Sequence, residues 1–156
     1  MAATKLNVEI VTPERRLASL AADEVIAPGA EGLFGVRPGH TPYLSVMQPG
    51  PLTVREGSNS TIYFVAGGFV EAGPDVVRVL ADAAEVAANI DVAAAQKRIS
   101  EAETRLKSYE VTDPRAVEQR LIIAREQKRI AVKSGKYEFA RVILRSRIPR
   151  GSRIFR

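Results

Sequence analysis

The composition of the chain changes abruptly near residue 81, and this change constrains the fold more than any other feature. Nine of the eleven glycines and seven of the nine prolines lie before residue 81. Turn-forming residues at this density separate short strands and interrupt helices. Between residues 81 and 95, by contrast, eight of fifteen positions are alanine, the strongest helix former. We therefore predict a strand-rich N-terminal part followed by a helical C-terminal part.

Short apolar runs in the first part have the pattern of strands. Leu6, Val8 and Ile10 alternate with polar residues, which is the period of a strand with one buried face. Similar runs follow at residues 24–27, 43–47, 52–55, 61–66, 69–72 and 76–80. Short strands separated by regularly spaced turns are typical of an antiparallel sandwich or barrel. We predict an antiparallel β-sandwich over residues 1–86, so that the fold class of the whole chain is α+β.

Two helices are predicted for residues 87–135. Asp91 is a suitable N-cap for the first helix, whose apolar residues recur at spacings of three and four: Val92, Ala95, Ile99, Ala102, Leu106 and Tyr109. Asp113 and Pro114 mark the start of the second helix, and Gly135 follows its end. The short connection predicts an antiparallel helical hairpin.

The apolar face of the second helix is less regular. Its members are Val117, Leu121, Ala124 and Ala131, and Lys128 interrupts them. Three isoleucines of the same helix lie off this face: Ile122, Ile123 and Ile130. We expect the face that begins at Val117 to be the packed one.

The two parts of the chain differ in charge. Residues 1–86 carry six basic and ten acidic side chains, whereas the remainder carries 17 basic and eight acidic ones. The basic excess is densest in the tail, residues 136–156, where six arginines accompany a single glutamate. This asymmetry indicates an acidic body and a basic arm that binds an acidic partner.

Composition excludes most metal and redox chemistry. With no cysteine and one histidine, the chain cannot form cysteine-ligated metal sites, thiol nucleophiles or histidine-rich metal centres. The glycine-rich segment 28–40 is not a phosphate-binding loop, because Phe34 replaces its first glycine and His40 replaces its lysine. We expect an irregular loop there. The sequence contains no signal-like or membrane-spanning apolar segment, so we expect a soluble protein made in the cytoplasm.

Two other functions are open at this point. His40 is the candidate general base of a small hydrolase, with Ser45 and Asp23 as conceivable partners. A lone histidine in such a loop more often has a structural role. The basic C-terminal part could bind nucleic acid through phosphate contacts. No recognition-helix fingerprint or set of stacking aromatics accompanies that charge, and so a protein-binding arm is favoured.

Several motifs place the chain close to a known family. They are VEIVTPER at residues 8–15, PGxxGxxGVxPGHTP at 28–42, PG at 49–50, VAGGFVE at 65–71, VLADxAE at 79–85 and Ile90-Asp91. In order and spacing they resemble the epsilon subunits of bacterial F-type ATP synthases, the counterparts of the mitochondrial delta subunit. The resemblance is close over about the first 91 residues and looser over the helices.

The resemblance implies a non-catalytic subunit of the central rotor stalk. Members of the family bind the gamma subunit and the polar loops of the membrane c-ring through the sandwich. The gamma contact is expected at Gly67, Gly68 and Phe69, and the c-ring contact at Glu31, Arg37 and His40. We accordingly expect a peripheral protein at the cytoplasmic face of the bacterial inner membrane, in a proton- or sodium-translocating enzyme, without catalytic residues, metal or nucleic-acid partner.

The family resemblance also implies a regulatory role for the hairpin. In family members the hairpin can extend toward the alpha and beta subunits of the catalytic head and block ATP hydrolysis. The cations expected to make that contact lie on the second helix: Arg115, Arg120, Arg125, Lys128 and Arg129.

One family motif differs in this chain. Some members bind regulatory ATP through Ile/Leu-Asp-x-x-Arg-Ala at the start of the first helix. Here Ile90 and Asp91 are present, but Ala94 replaces the arginine. Because a methyl group offers a phosphate neither charge nor a hydrogen-bond donor, we expect ATP binding to be absent or feeble, and we expect no other cofactor.

Overall fold

The computed structural model describes residues 4–136, which contain strands followed by two α-helices. The strands are β1 (Leu6–Val11), β2 (Arg16–Ala22), β3 (Glu24–Gly29), β4 (Gly32–Val36), β5 (Tyr43–Met47), β6 (Gly50–Glu56), β7 (Asn59–Val65), β8 (Gly68–Ala72), β9 (Val76–Ala81) and β10 (Ala84–Val86). A 3₁₀ helix (Ala87–Asn89), α1 (Val92–Leu106) and α2 (Pro114–Ser134) follow. The predicted α+β class is confirmed. The predicted basic tail lies outside the described residues from position 137 onward.

The strands form one hydrogen-bonded sheet that folds over into two layers. Its order is β10-β7-β6-β3-β5-β8-β9-β1-β2, and β4 pairs with β3. β3 and β5 share one residue pair, Gly29 with Met47, so the sheet passes from one layer to the other there. Both layers contribute to a single core, which includes Leu6, Val8 and Ile10 as their alternation predicts.

The strand pairing departs from the antiparallel prediction at one place. β1 lies between β2 and β9, antiparallel to β2 and parallel to β9, with Val8 opposite Val77. The other strand pairs in the described residues are antiparallel. Parallel neighbours need a long connection, and most of the sandwich sequence lies between these two strands.

The glycine-rich segment 28–40 is not the irregular loop that we expected. Its first half belongs to the hairpin of β3 and β4, where Ala27 pairs with Phe34 and Gly29 with Gly32. Unusual backbone angles are confined to Gly32 (φ 126°) and Gly39 (φ 83°). The glycines therefore permit a tight hairpin here, and the paired strands leave the short stretch after Val36 as loop.

The start of both helices and the end of α2 are confirmed, whereas α1 ends at Leu106, short of Tyr109, and the alanine-rich segment begins as a strand. Ala84–Val86 forms β10 on the edge of β7, because pairing with an available strand overrides the helix propensity of alanine. The Asp91 carboxylate then accepts a hydrogen bond of 3.0 Å from the Ala94 amide. Asp113 caps α2 in the same way, and Gly135 ends that helix in the left-handed conformation.

The prediction of which face of α2 is packed is wrong. Val117, Leu121 and Ala124 are exposed, and the buried residues of α2 are Ala116, Gln119, Glu126 and Val132. α1 packs through Ala95, Ile99 and Ala102, as predicted, whereas Val92 of the predicted face is exposed. The rotation of α2 has a physical reason: it places the Glu126 carboxylate 3.0 Å from Arg98 of α1 and Val132 against the sandwich.

The helices contact the sandwich through a small second cluster. Val132 of α2 packs with Phe64 of β7 and with Ile90, which precedes α1. Arg129 of α2 lies 3.2 Å from Glu85 of β10. Among the described residues, the main core contains none after β10.

We propose that residues 1–86 are a domain, and a fragment ending at Ala88 tests this division. The fragment retains every residue of the main core, so we expect it to be soluble, to melt cooperatively and to show strand-type circular dichroism. Its melting temperature should be lower than that of the full chain, because Phe64 loses its cover. An aggregated fragment, or one without a cooperative transition, would contradict the domain division.

Candidate interaction surfaces

An apolar row lies on the outer face of β5, β8 and β9. We call it the outer row; it consists of Val46, Phe69 and Leu80, which are 54%, 50% and 51% exposed. Val46 pairs directly with Phe69, and Phe69 with Leu80, so the three side chains are adjacent. Because neighbouring strand residues point to opposite faces, Met47, Val70 and Val79 are buried beneath them. Clustered exposed apolar residues mark a surface for another protein.

A second row borders the outer row. Leu44 pairs with Glu71, and Glu71 pairs with Arg78. The Arg78 guanidinium lies 3.5 Å from Glu71 and 3.8 Å from Glu9 of β1. The apolar patch therefore has a charged margin on this side, which is the usual anatomy of a protein interface.

The glycine pair before Phe69 allows β8 to approach the end of β9. Gly67 and Gly68 have φ values of 125° and 109°, which favour glycine. A Cβ atom on Gly68 would collide with the carbonyl oxygen of Leu80. These two predicted contact residues therefore position the outer row, and Phe69 supplies its central surface.

The three predicted c-ring residues are not brought together. Glu31 lies exposed in the turn between β3 and β4, whereas Arg37 and His40 follow the far end of β4. At a strand rise of about 3.3 Å per residue, the two ends are roughly 20 Å apart. Arg37 Nε donates to the buried Glu24 at 2.9 Å, which anchors this side chain at its end of the strand.

The conceivable catalytic triad has no support in the geometry. His40 Nδ1 lies 2.6 Å from the carbonyl oxygen of Thr41 and therefore donates to it. The Ser45 hydroxyl donates to the carbonyl of Val46, and the Asp23 carboxylate accepts from the Gly57 amide. Each side chain is thus held by a backbone partner, and no pair among the three is arranged for proton transfer.

The predicted inhibitory cations fall into two groups. Arg115 donates to the Asp113 carboxylate, and this hydrogen bond lowers the pKa of Asp113. Arg125 and Arg129 lie 3.4 and 3.5 Å from Glu126. Within residues 4–136, Arg120 and Lys128 make no ion pair and are exposed. Of the five, these two are exposed and have no acidic partner in the described part of the chain.

Sequence reasoning missed part of each surface. The exposure of Val46 and Leu80 depends on strand register, and their apolar character alone made them core candidates. Glu126 is buried, although a charged side chain is normally expected at the surface. Spacing gave no signal, because Gln119, which lies seven residues earlier on the same stripe of α2, is also polar.

Two kinds of site are absent from the described part of the chain. Among residues 4–136, no group of three or more histidine, cysteine or acidic side chains is arranged to hold a metal ion. Neither α1 nor α2 has the length and apolar character needed to cross a membrane.

The sandwich that carries the outer row matches a family model. Residues 5–87 match the family described as ATP synthase, delta/epsilon chain, beta-sandwich domain. The chain belongs to this family. The ATP synthase epsilon chain of Myxococcus xanthus is 56% identical over 126 residues, which is 81% of this chain and 93% of that one. That of Anaeromyxobacter sp. strain Fw109-5 is 41% identical over 127 residues, covering 81% and 96% of the two chains.

Solved ATP synthase structures contain the same fold as this delta/epsilon family member. A chain of the Euglena gracilis mitochondrial ATP synthase superposes with a TM-score of 0.72 at 19% identity, covering 84% of this chain and 82% of that one. A chain from the central stalk and c-ring of the Tetrahymena thermophila mitochondrial enzyme gives a TM-score of 0.52 at 17% identity, covering 85% and 99%. The resemblance seen in the sequence is therefore confirmed for family and fold.

Two glycine substitutions separate backbone strain from steric collision. Gly57→Ala meets a positive φ in open space and should cost about 1–2 kcal/mol. Gly68→Ala adds the collision with β9 and should cost at least about 3 kcal/mol, measured as the free energy of unfolding in urea. Equal losses in the two variants would show that β8 and β9 do not require a glycine at position 68.

Proposed function

We propose that this chain is a non-catalytic subunit of the central stalk of a proton- or sodium-translocating F-type ATP synthase. Its sandwich would connect the gamma subunit to the c-ring, and its helices would inhibit ATP hydrolysis. It would lie at the cytoplasmic face of the bacterial inner membrane without entering the bilayer. The observation that carries this proposal is the outer row, an apolar surface without cover in the described residues, on a sandwich of the delta/epsilon family.

The outer row is our candidate for the gamma contact. Phe69 lies at its centre, between Val46 and Leu80, and Gly67 and Gly68 position it. A large aromatic side chain at the middle of an apolar patch is the usual form of an interface hot spot. The charged margin at Glu71 and Arg78 suits the rim of the same interface.

The c-ring contact is proposed for both ends of β4. Glu31 offers an exposed carboxylate at the β3–β4 turn, and the loop after β4 offers Arg37 and His40. Arg37 keeps its guanidinium largely exposed while Glu24 holds its Nε, so it presents a fixed positive charge. Polar loops of a ring are suitable partners for such groups.

The inhibitory role is proposed for α2, through charge. Arg120 and Lys128 are exposed in the folded hairpin, and an acidic segment of the beta subunit would complement them. Arg115, Arg125 and Arg129 have acidic partners within the chain. They would contribute to the contact with the alpha and beta subunits when the hairpin extends.

We propose that regulatory ATP binding is absent or feeble. Asp91 is engaged as the N-cap of α1, and Ala94 provides only its amide to that cap. Other arginines nearby could in principle replace the missing one. Three of them, Arg98, Arg125 and Arg129, already contact the Glu126 carboxylate, so a phosphate would have to compete with that carboxylate for them.

A charge placed on the outer row tests the gamma contact. Phe69→Glu should weaken binding to ATP synthase depleted of this subunit by at least about 2 kcal/mol, because an interface centre excludes an unpaired charge. The matched control is Val117→Glu, since Val117 on α2 is also 50% exposed. We expect the control to bind like the unaltered chain in a titration. Equal affinities for both variants would refute the assignment of the outer row.

Removal of the unpaired cations tests the inhibitory role. Replacing Arg120 and Lys128 by Ala should raise ATP hydrolysis by the reconstituted enzyme about fivefold, since each exposed ion pair contributes about 0.5–1 kcal/mol. Deleting residues 111–156 should raise it further and leave ATP synthesis largely intact. The control replaces Lys97 of α1 and Lys107, which directly follows α1, because both are exposed.

A truncation after Gly135 distinguishes α2 from the basic tail. Inhibition that persists in this variant supports α2, whereas inhibition that is lost assigns the role to residues 136–156. If the deletion of residues 111–156 leaves hydrolysis unchanged, neither element is inhibitory.

A further inference from the structure

Glu126 is a charged residue in an apolar position. Its side chain is 1% exposed and lies on the packed stripe of α2, where Ala116 and Gln119 precede it. A carboxylate removed from water must be neutralised by nearby cations if it is to stay ionised. The identity and position of those cations therefore decide which arrangement of the helices Glu126 allows.

Three arginines surround the Glu126 carboxylate. Arg98 Nε of α1 lies 3.0 Å from Oε2, and the Nε atoms of Arg125 and Arg129 lie 3.4 and 3.5 Å from Oε1 and Oε2. Arg125 and Arg129 share the helix of Glu126 and remain near it wherever α2 moves. Arg98 belongs to the other helix, so its ion pair exists only when the hairpin is closed.

Arg129 connects the same carboxylate to the sandwich. Its Nη1 lies 3.2 Å from Oε1 of Glu85, and its guanidinium carbon lies 5.0 Å from the centre of the Phe64 ring. Glu85 and Phe64 are themselves paired residues of β10 and β7. The guanidinium is thus held between a buried carboxylate of α2, a carboxylate of β10 and the ring of Phe64 in the second cluster.

We propose that Glu126 is an internal latch that closes the helical hairpin and docks it on the sandwich at the same time. Closure brings Arg98 to Glu126, and docking brings Glu85 and Phe64 to Arg129. Since both contacts meet at one carboxylate, loss of either leaves buried charge poorly compensated and favours loss of the other. The contact between the two helices and the contact between α2 and β10 should therefore be lost together.

The latch is suited to opening. The contacts between Glu126 and the three Nε atoms are ion pairs that lack hydrogen-bond geometry. Such contacts hold the relative orientation of the side chains less strictly than hydrogen bonds do. Water can solvate all four charged groups once the helices separate. A buried ion cluster of this kind specifies an arrangement more than it stabilises it, which keeps open and closed forms comparable in free energy.

The latch has a regulatory consequence that rests on the proposed function. Glu126 and Glu85 pair with Arg125 and Arg129 in the closed form, and these are two of the cations assigned to inhibition. The latch would therefore set the fraction of molecules whose α2 can reach the catalytic head. Closure itself does not depend on whether α2 inhibits hydrolysis.

A distance measurement in the isolated full chain tests the latch. The chain has no cysteine, so two introduced cysteines can carry spin labels without competition. Ser58 in the sandwich and Ala124 on α2 are both exposed. Glu126→Gln should increase the population with long label distances by at least about tenfold, because three guanidinium groups then lack their common counter-charge. The matched control is Glu118→Gln, an exposed glutamate of the same helix.

A second variant distinguishes opening of the latch from general unfolding. Arg98→Gln removes the partner on α1 and leaves Glu126 two cations, so it should also increase the open population. Combined with Glu126→Gln it should add little, because both changes break the same contact. Strand-type circular dichroism should remain unchanged in every variant. Additive effects, or a Glu126→Gln variant that matches the Glu118→Gln control, would overturn the latch.

The same variants separate the latch from the proposed inhibition. A Glu126→Gln chain that opens but leaves ATP hydrolysis unchanged supports the latch and counts against inhibition by α2. A chain that remains closed overturns the latch whatever the hydrolysis rate.

Discussion

The alternation of side chains along a β-strand determines which residues of this sandwich a partner can contact. In β5, β8 and β9, Met47, Val70 and Val79 point inward and complete the core. Their neighbours Val46, Phe69 and Leu80 must then point outward. A one-residue shift of register would exchange the two sets and expose the core, so the outward position of Phe69 is fixed by the burial of Val70. The apolar outer row is a direct consequence of how the core closes.

A different interaction orders the C-terminal part. The main core ends with β10, and little apolar surface joins the helices to it, chiefly Phe64, Ile90 and Val132. Ion pairs also join the helices to the sandwich, because Arg129 of α2 lies between Glu126 of the same helix and Glu85 of β10. A sandwich joined to a hairpin by a small apolar cluster and ion pairs is the arrangement expected if, as proposed, the sandwich is a docking body and the hairpin a movable arm.

Local chemistry made much of this fold predictable. The caps at Asp91 and Asp113 and the left-handed Gly135 depend on residues adjacent in the chain, and the structure has all three. The alternation at Leu6, Val8 and Ile10 likewise needs no distant partner. Long-range pairing was beyond such reasoning. β10 forms in an alanine-rich segment only because β7 presents a free edge, and β1 pairs with β9 in parallel through contacts distant in sequence.

The interaction surfaces were predictable only in part, for the same reason. Family resemblance identified Phe69, but its neighbours Val46 and Leu80 became visible only through strand register. Apolar periodicity selected Val117 and Leu121 as the packed face of α2, and both are exposed. The error arose because Glu126 is drawn inward by Arg98 of α1, and an attraction between helices leaves no trace in the periodicity of one helix.

The central claim is that the outer row is covered by the gamma subunit in the assembled enzyme. Hydroxyl-radical footprinting of Phe69 tests it directly, because modification of an aromatic ring reports its contact with solvent. The account predicts strong modification of Phe69 in the isolated chain and strong protection in the assembled ATP synthase. Equal modification of Phe69 in the two states would contradict it.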